Sequence, residues 1–272
     1  MRYALVNNER HEARPRLTGL CPGCGQPMIS KCGDQRIHHW AHRGVRTCDS
    51  WWEPEPPWHR NWKGQFPHAG QEVIQHDATG EKHIADVRTE HRLVLEFQHS
   101  HLRPEERAAR EKFYGNMIWI VDGTRLKRDL PRFSEGYRSL RRSPWQRVYA
   151  TPFPEECFPN GWLECRASVF FDFAGTEPLA RDTPVERRYL WGLLPGRAHG
   201  HAVVVAFERQ TLVHAAHQRP QIVPYMKMVH VLAERFRAAR ALAMQEARRY
   251  PVKAVRKPRY KSWRFQPRRD RY

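Results

Sequence analysis

Between residues 72 and 122 the hydrophobic period changes twice, and this succession limits what the chain can fold into. Three short runs, at 72–76, 84–89 and 93–98, read as strands separated by the turn candidates Asp77-Ala-Thr-Gly80 and Glu90-His91, which predicts an antiparallel meander. Residues 104–114 then place Pro104, Glu105 and Glu106 in the first turn of a helix, where the positive end of the helix favours acids, and Gly115-Asn116 stops it. Residues 117–122 are continuously apolar up to Asp122, the pattern of a strand buried on both faces. Upstream, prolines precede Trp58, Trp62 and Phe66, whose spacing of four predicts a short amphipathic helix. The order is helix, three strands, helix, strand.

Beyond about residue 131 the pattern weakens. Residues 167–173 and 202–207 still read as strands, and Tyr225, Val229, Leu232, Phe236, Ala239 and Ala243 alternate spacings of four and three, the signature of one long amphipathic helix. The expected divisions are therefore 1–50, 51–130, 131–249 and a tail at 250–272. From Arg248 onward eleven Lys or Arg face the single acid Asp270, so this tail cannot fold by itself.

Charge narrows the partners. Across 272 residues, 47 Lys and Arg outnumber 29 Asp and Glu, a net charge of +18, which makes a polyanion the first partner to consider. No apolar run approaches the roughly 18 to 20 residues of a membrane span, and the charged N-terminus lacks the apolar stretch of a secretory signal. A cytoplasmic location is expected.

Cys21, Cys24, Cys32 and Cys48 crowd the first fifty residues, a segment too small to fold on apolar burial alone. In a reducing compartment this clustering points to metal rather than disulfides. Cys21-Pro-Gly-Cys24 has the two-residue gap that lets both thiolates of a tight turn face one ion. His38-His-Trp-Ala-His42 supplies histidine pairs three and four apart, and the expected structural zinc set is Cys21, Cys24, His39 and His42, with Cys48 or His38 as replacements. Cys32, Cys157 and Cys165 read as ordinary small apolar residues.

The chemistry is expected in His83 to Gln98. Leu93, Leu95 and Phe97 alternate with Val94, Glu96 and Gln98, while Asp86 sits between Ala85 and Val87, so Asp86 and Glu96 are each a polar intruder on a strand. A two-residue turn at Glu90-His91 would send the two carboxylates to opposite faces. An odd loop, such as Thr89-Glu90-His91, places Ala85 and Val87 with Leu93, Leu95 and Phe97 and brings Asp86 diagonally near Glu96; an odd loop or a bulge is therefore predicted. Two carboxylates held together call for a hard divalent cation, Mg2+ or Mn2+, and beside a basic protein such a site suggests phosphodiester hydrolysis. Glu72, on the preceding strand, is placed to complete the site or to support a second ion. His59, Lys63, His83 and Arg110 are candidate phosphate contacts or proton carriers, whereas Trp58 and Trp62 are read as core rather than as base-stacking platforms.

Taken together, Cys21-Pro-Gly-Cys24, His39-Trp-Ala-His42, Glu55-x2-Trp58-His59-x2-Trp62-Lys63, Ala85-Asp86-Val87, Glu96-Phe-Gln-His-Ser100 and Arg110-Glu-Lys-Phe-Tyr114 resemble the CoiA-like family of competence-related proteins over roughly residues 15–125. The resemblance implies an α/β architecture: a small N-terminal zinc-finger-like segment and then a PD-(D/E)XK nuclease core with a restriction-endonuclease-like mixed sheet flanked by helices, here followed by a basic C-terminal region. It assigns Asp86 as the motif aspartate, Glu96 as the motif acid, Gln98 to the place usually held by lysine and Glu72 as an auxiliary acid, with the Phe97 carbonyl also facing metal. Ala85 stands where the wider superfamily has proline, and Gln98 lacks the lysine charge, although an amide still orients water. The expected activity is that of a Mg2+-dependent deoxyribonuclease in DNA processing or recombination. The alternative is a non-catalytic zinc-containing DNA-binding accessory protein. DNA is the expected partner, with a second copy of the chain or DNA-processing proteins beside it.

Overall fold

The computed structural model describes residues 1–44, 48, 49, 51 and 55–249; the basic tail at 250–272 lies outside them. The first 42 residues form a small antiparallel sheet of β1 (Tyr3–Val6), β2 (Glu9–Glu12), β3 (Thr18–Leu20), β4 (Pro27–Lys31) and β5 (His39–His42), in the order β2-β1-β3-β4-β5. Its interior holds Met1, Ala4, Ala13, Cys21, Met28, Trp40 and Cys48. That apolar content is small, as expected of a segment needing a further source of stability.

The rest builds one mixed sheet. Helix α1 (Pro57–Lys63) leads into β6 (Gln71–His76), β7 (Lys82–Arg88) and β8 (Val94–Gln98), followed by α2 (Pro104–Tyr114) and β9 (Met117–Asp122). The meander is as expected, β7 being antiparallel to both β6 and β8, and the continuously apolar strand β9 lies parallel to β8 and is buried throughout.

After α3 (Asp129–Tyr137) come β10 (Arg141–Arg142), β11 (Val148–Thr151), β12 (Ser168–Asp172), α4 (Val185–Arg188), β13 (Leu190–Leu193), β14 (Ala202–Phe207), α5 (Arg209–Gln218) and the long α6 (Tyr225–Arg249). These later strands extend the same sheet, in the order β10-β11-β14-β13-β12-β9-β8-β7-β6, because β12 pairs parallel with β9. The stretches 51–130 and 131–249 thus share nine strands. Among the described residues there are six α-helices, and no helix is long and apolar enough to cross a membrane.

One core lies between the sheet and α1, α5 and α6, joining Trp58, Trp62 and Phe66 to Leu95, Phe97, Ile118 and Val203. The opposite core gathers Val94, Trp119, Val121, Phe133, Phe171 and Trp191. Burial also explains why α1 carries tryptophans. The indole N–H groups of Trp58 and Trp62 each donate to Asp172 Oδ2 at 2.9 Å, and Arg209 pairs with the same buried carboxylate. The pair is therefore core, as read from its spacing, and its polar edges satisfy a charge that burial would otherwise penalise.

The parallel trio β8, β9 and β12 brings three carboxyl ends to one side of the sheet, and with them Gln98, Asp122 and Asp172.

Candidate metal centre and carboxylate pocket

Cys21, Cys24, His42 and Cys48 converge, with one ligand atom from each lying within 4.8 Å of the others. The two thiols Cys21 and Cys48 are 3.9 Å apart, and His42 Nε2 is 3.3 Å from Cys24 Sγ and 3.5 Å from Cys48 Sγ. A tetrahedral zinc with bonds of about 2.3 Å to sulfur and about 2.0 Å to nitrogen sets S···S near ~3.8 Å and S···N near ~3.5 Å. The donor set and its spacing fit such an ion. Burial, followed by the neighbouring thiols, pushes the Cys48 thiol up to about 12, so only a bound cation makes this cluster a good home for thiolates.

His39 is not part of the cluster. Residues 39 and 42 both lie on β5, and an odd separation on a strand sends side chains to opposite faces. The His39 ring instead meets the Ile37 carbonyl at 2.9 Å, and Cys48 supplies the fourth ligand. The set read from spacing is corrected at this one position. The error came from treating residues 38–42 as if a helix-like turn decided their direction.

Asp86 and Glu96 meet in a pocket of about 60 Å³, lined also by Glu55, His59, Lys63, Glu72, Gln98 and Arg110. The β7–β8 loop is odd, but it is displaced by one residue from the expected one. Thr89 and Leu93 close it with an N–H···O bond of 2.9 Å, leaving Glu90, His91 and Arg92 as the loop, with Arg92 at φ 61°. Val87 pairs with Leu95 and Arg88 with Val94, a register that sets Asp86 directly across from Glu96 rather than diagonal to it. There the ladder gives way to the side chains. The Asp86 N–H donates to Glu96 Oε1 at 3.1 Å, and the Phe97 N–H donates to Asp86 Oδ2 at 3.0 Å. This break also separates Ala85, which packs with Val94 and Trp119, from Val87, Leu93, Leu95 and Phe97 in the other core; the sequence reading had kept them together.

The cations come from helices. His59 Nε2 lies 2.9 Å and Lys63 Nζ 3.8 Å from Asp86 Oδ1, both from α1, while Arg110 Nη1 of α2 lies 3.2 Å from Glu96 Oε2. Burial alone would raise both carboxyls. At Asp86, His59, Lys63 and the Phe97 N–H outweigh it and hold the group below its usual range. At Glu96, burial and the charge of Asp86 prevail over Arg110 and push it up to about 8. Two neighbouring carboxyls are thus driven apart in pKa, the lowered one at Asp86 and the raised one at Glu96.

Glu72 lies in the pocket wall, yet both its oxygens are engaged. They accept from the backbone N–H groups of Arg2 and Tyr3, at 2.7 and 3.1 Å, and from Lys63 at 2.9 Å. These partners overcome the cost of burial and hold its carboxyl down at about 2. It thus clamps the small sheet onto the large one. His83 falls outside the pocket lining. Its ring stacks on Trp51 and meets Asp49 at 3.0 Å and Glu81 at 2.8 Å, contacts that tie Asp49 and Trp51 to β7.

The sequence reading did not assign Glu55 a role. Its Oε1 is 3.2 Å from Lys63, so Lys63 faces Glu55, Glu72 and Asp86 at once. Glu55 Oε1 and His59 Nε2 are buried yet lack an aligned hydrogen-bond partner among the described residues. Five acids around one pocket, Asp49, Glu55, Glu72, Asp86 and Glu96, with the last two tied together through backbone N–H groups, fit a hard divalent ion at Asp86 and Glu96. The sequence offered a signal for Glu55, its place three residues before Trp58 among the quoted motifs, but nothing that separated it from a helix-capping acid.

Residues 6–50 match the family model described as the N-terminal domain of competence protein CoiA. Over 165 residues the chain is 27% identical to competence protein CoiA of Bacillus subtilis (strain 168), an alignment covering 56% of this chain and 43% of that protein. No solved structure matches. The matched segment contains the whole Cys21, Cys24, His42 and Cys48 cluster, and in sequence this chain is similar to competence protein CoiA.

Proposed function

We propose that this chain is a metal-dependent nuclease of the PD-(D/E)XK type, with a restriction-endonuclease-like core, that hydrolyses phosphodiester bonds of DNA. The observation that carries the reading is the meeting of Asp86 and Glu96, from neighbouring strands, in one cation-lined pocket. Asp86, Glu96 and the Phe97 carbonyl are the groups to hold Mg2+ or Mn2+. Such an ion, when bound, neutralises phosphate charge and acidifies a water.

The protein's own groups supply the rest. Glu96 must give up its proton for the pair to act as a dianion, and Arg110 favours that loss. The Gln98 amide nitrogen donates to Ser100 Oγ at 3.1 Å and to the Ser100 carbonyl at 3.2 Å, which fixes the amide as the group that orients the attacking water. Lys63, close to Asp86, provides the positive charge that a lysine at position 98 would bring. His59 keeps Asp86 ionised.

Nicking of plasmid DNA with Mg2+, Mn2+ or EDTA tests the reading, with Glu96→Ala as control. Cleavage that depends on the ion and disappears in the variant supports it, and undiminished cleavage by the variant removes Glu96 from the chemistry. One observation favours the accessory alternative: His59, Lys63 and Arg110 already balance the two carboxylates. That alternative expects salt-sensitive DNA binding with no cleavage.

A further inference from the structure

Gln98 lines two cavities at once, the Asp86–Glu96 pocket and a cleft of about 590 Å³ at the carboxyl ends of β8 and β9. Ligands of open α/β sheets gather at such strand ends. The cleft takes Arg125 and Arg128 from the turn after β9 and Arg132 from the first turns of α3. Arg125 and Arg128 are exposed and form no ion pair with the described residues. The acids in the same cleft are Asp129, already paired with Arg132 at 3.3 Å, the buried Asp122 and the exposed Glu155, none of which forms an ion pair with Arg125 or Arg128 among the described residues.

The cleft also holds a positioned donor. His99 follows Gln98 directly, and its Nδ1 is 2.8 Å from Oδ2 of the buried Asp122. The other Asp122 oxygen accepts from the Thr124 N–H at 2.8 Å and from its hydroxyl at 2.6 Å, so the carboxylate is fixed and the His99 ring with it. Trp162 also lines the cleft. Guanidinium groups and an aromatic ring in one cleft are the elements of a single-strand groove.

We propose that this cleft is a phosphate-binding track for one nucleic-acid strand, which continues over Gln98 from the Asp86–Glu96 pocket. The direction of the strand rests on the nuclease reading; the binding itself does not. The pocket at the carboxylates, about 60 Å³, has room for an ion and a few waters but not for a run of nucleotides, so the strand's flanking phosphates must be held elsewhere. Arg125 and Arg128 hold them.

The experiment is equilibrium binding of a fluorescein-labelled 12-nucleotide DNA strand to the full chain without added Mg2+ or Mn2+, read by anisotropy over a range of salt. The double variant Arg125→Gln, Arg128→Gln is expected to bind at least tenfold more weakly. Its log–log salt slope is expected to be shallower by about 1.4, two phosphate contacts at about 0.7 each for a single strand. The double variant Arg141→Gln, Arg142→Gln, on the edge strand β10, removes the same charge far from the cleft and is expected to stay within threefold of the parent. Equal losses in the two variants, or no loss in the first, overturn the proposal. A duplex that loses as much affinity as the single strand overturns the single-strand assignment. Because binding is read without added Mg2+ or Mn2+, failure of the nuclease reading shows only in the cleavage assay and failure of the track only here.

Discussion

Asp86 and Glu96 tie their own strands together: the Asp86 N–H donates to a Glu96 oxygen at 3.1 Å, while an Asp86 oxygen accepts the N–H of Phe97 at 3.0 Å. The ladder is replaced, at this one rung, by the two groups proposed to hold the ion. Each carboxylate is consequently oriented before anything binds. The arrangement pins them close enough that, without a cation, only one is comfortably ionised.

A pH dependence follows. Glu96 has a folded pKa raised to about 8 from an ordinary 4.5, so between those values the folded chain holds a proton that the unfolded chain has lost. Stability of the metal-free protein therefore falls as pH rises from about 4.5 to about 8 and levels off above, by an amount on the order of a few kcal/mol. Glu96→Gln should flatten that slope. Melting temperature in EDTA across pH 5 to 9 measures both, and a wild-type curve that rises through this window contradicts the raised pKa.

For the zinc module, Cys48→Ser is expected to lose zinc and His39→Ala to keep it, as read by metal analysis of the purified proteins. The reason is the strand geometry of β5, which turns His42 toward the thiols and His39 away. Loss of the ion should also unfold the small sheet, because binding energy stands in for the core it lacks. A strong chelator should thus remove both zinc and the N-terminal β signal. Zinc retained in the Cys48 variant but lost in the His39 variant would restore the ligand set expected from spacing.

The comparison of sequence with structure divides along physical lines. Helices α1 and α2 and strand β9 are legible because proline, acids and apolar period mark them locally, and β7 and β8 because short β-branched and apolar runs bounded by turn residues mark strands. The carboxylate pair was legible because a polar residue inside an apolar strand stands out. His39 was misplaced because three-residue spacing has different meanings on a helix and a strand, and nothing local decides which applies. The clamp role of Glu72 and the gathering of Glu55 on Lys63 depend on contacts across 8 to 70 residues of chain, which periodicity does not record. The strands beyond residue 131 show their apolar runs but not their partners. Only the pairing of β12 with β9 reveals that the sheet continues.

Lys63 is expected to be worth more to folding than any surface charge in the chain. Its ammonium is buried and faces Glu72 at 2.9 Å, Glu55 at 3.2 Å and Asp86 at 3.8 Å; despite burial, these three hold its pKa above the usual lysine value. Lys63→Met leaves three carboxylates without their shared cation and should cost about 3–5 kcal/mol in urea denaturation at pH 7 in EDTA. Added Mg2+ should recover part of that loss if an ion takes up the charge at Asp86. Recovery that persists in Lys63→Met, Glu96→Ala would mean the ion acts elsewhere.

Asp172 provides the last test, one that starts from a residue outside the proposed ion site. It is buried at the end of β12, and two indole N–H groups, the Ala174 N–H and the Arg209 guanidinium converge on it. Asp172→Leu strands all four donors, and a cost of about 3–5 kcal/mol is expected. Because Trp58 and Trp62 carry α1, and α1 carries His59 and Lys63, the variant should also loosen the cations around Asp86. Asp172→Asn keeps one acceptor oxygen and should be intermediate in stability while preserving the position of α1. Urea denaturation followed by tryptophan fluorescence reports the first effect, and the Mg2+ concentration needed for half-maximal cleavage reports the second. If Asp172→Leu lowers stability while leaving the Mg2+ requirement of the residual folded protein unchanged, α1 is held by its apolar face alone, and the link from Asp172 to the carboxylate pocket is broken.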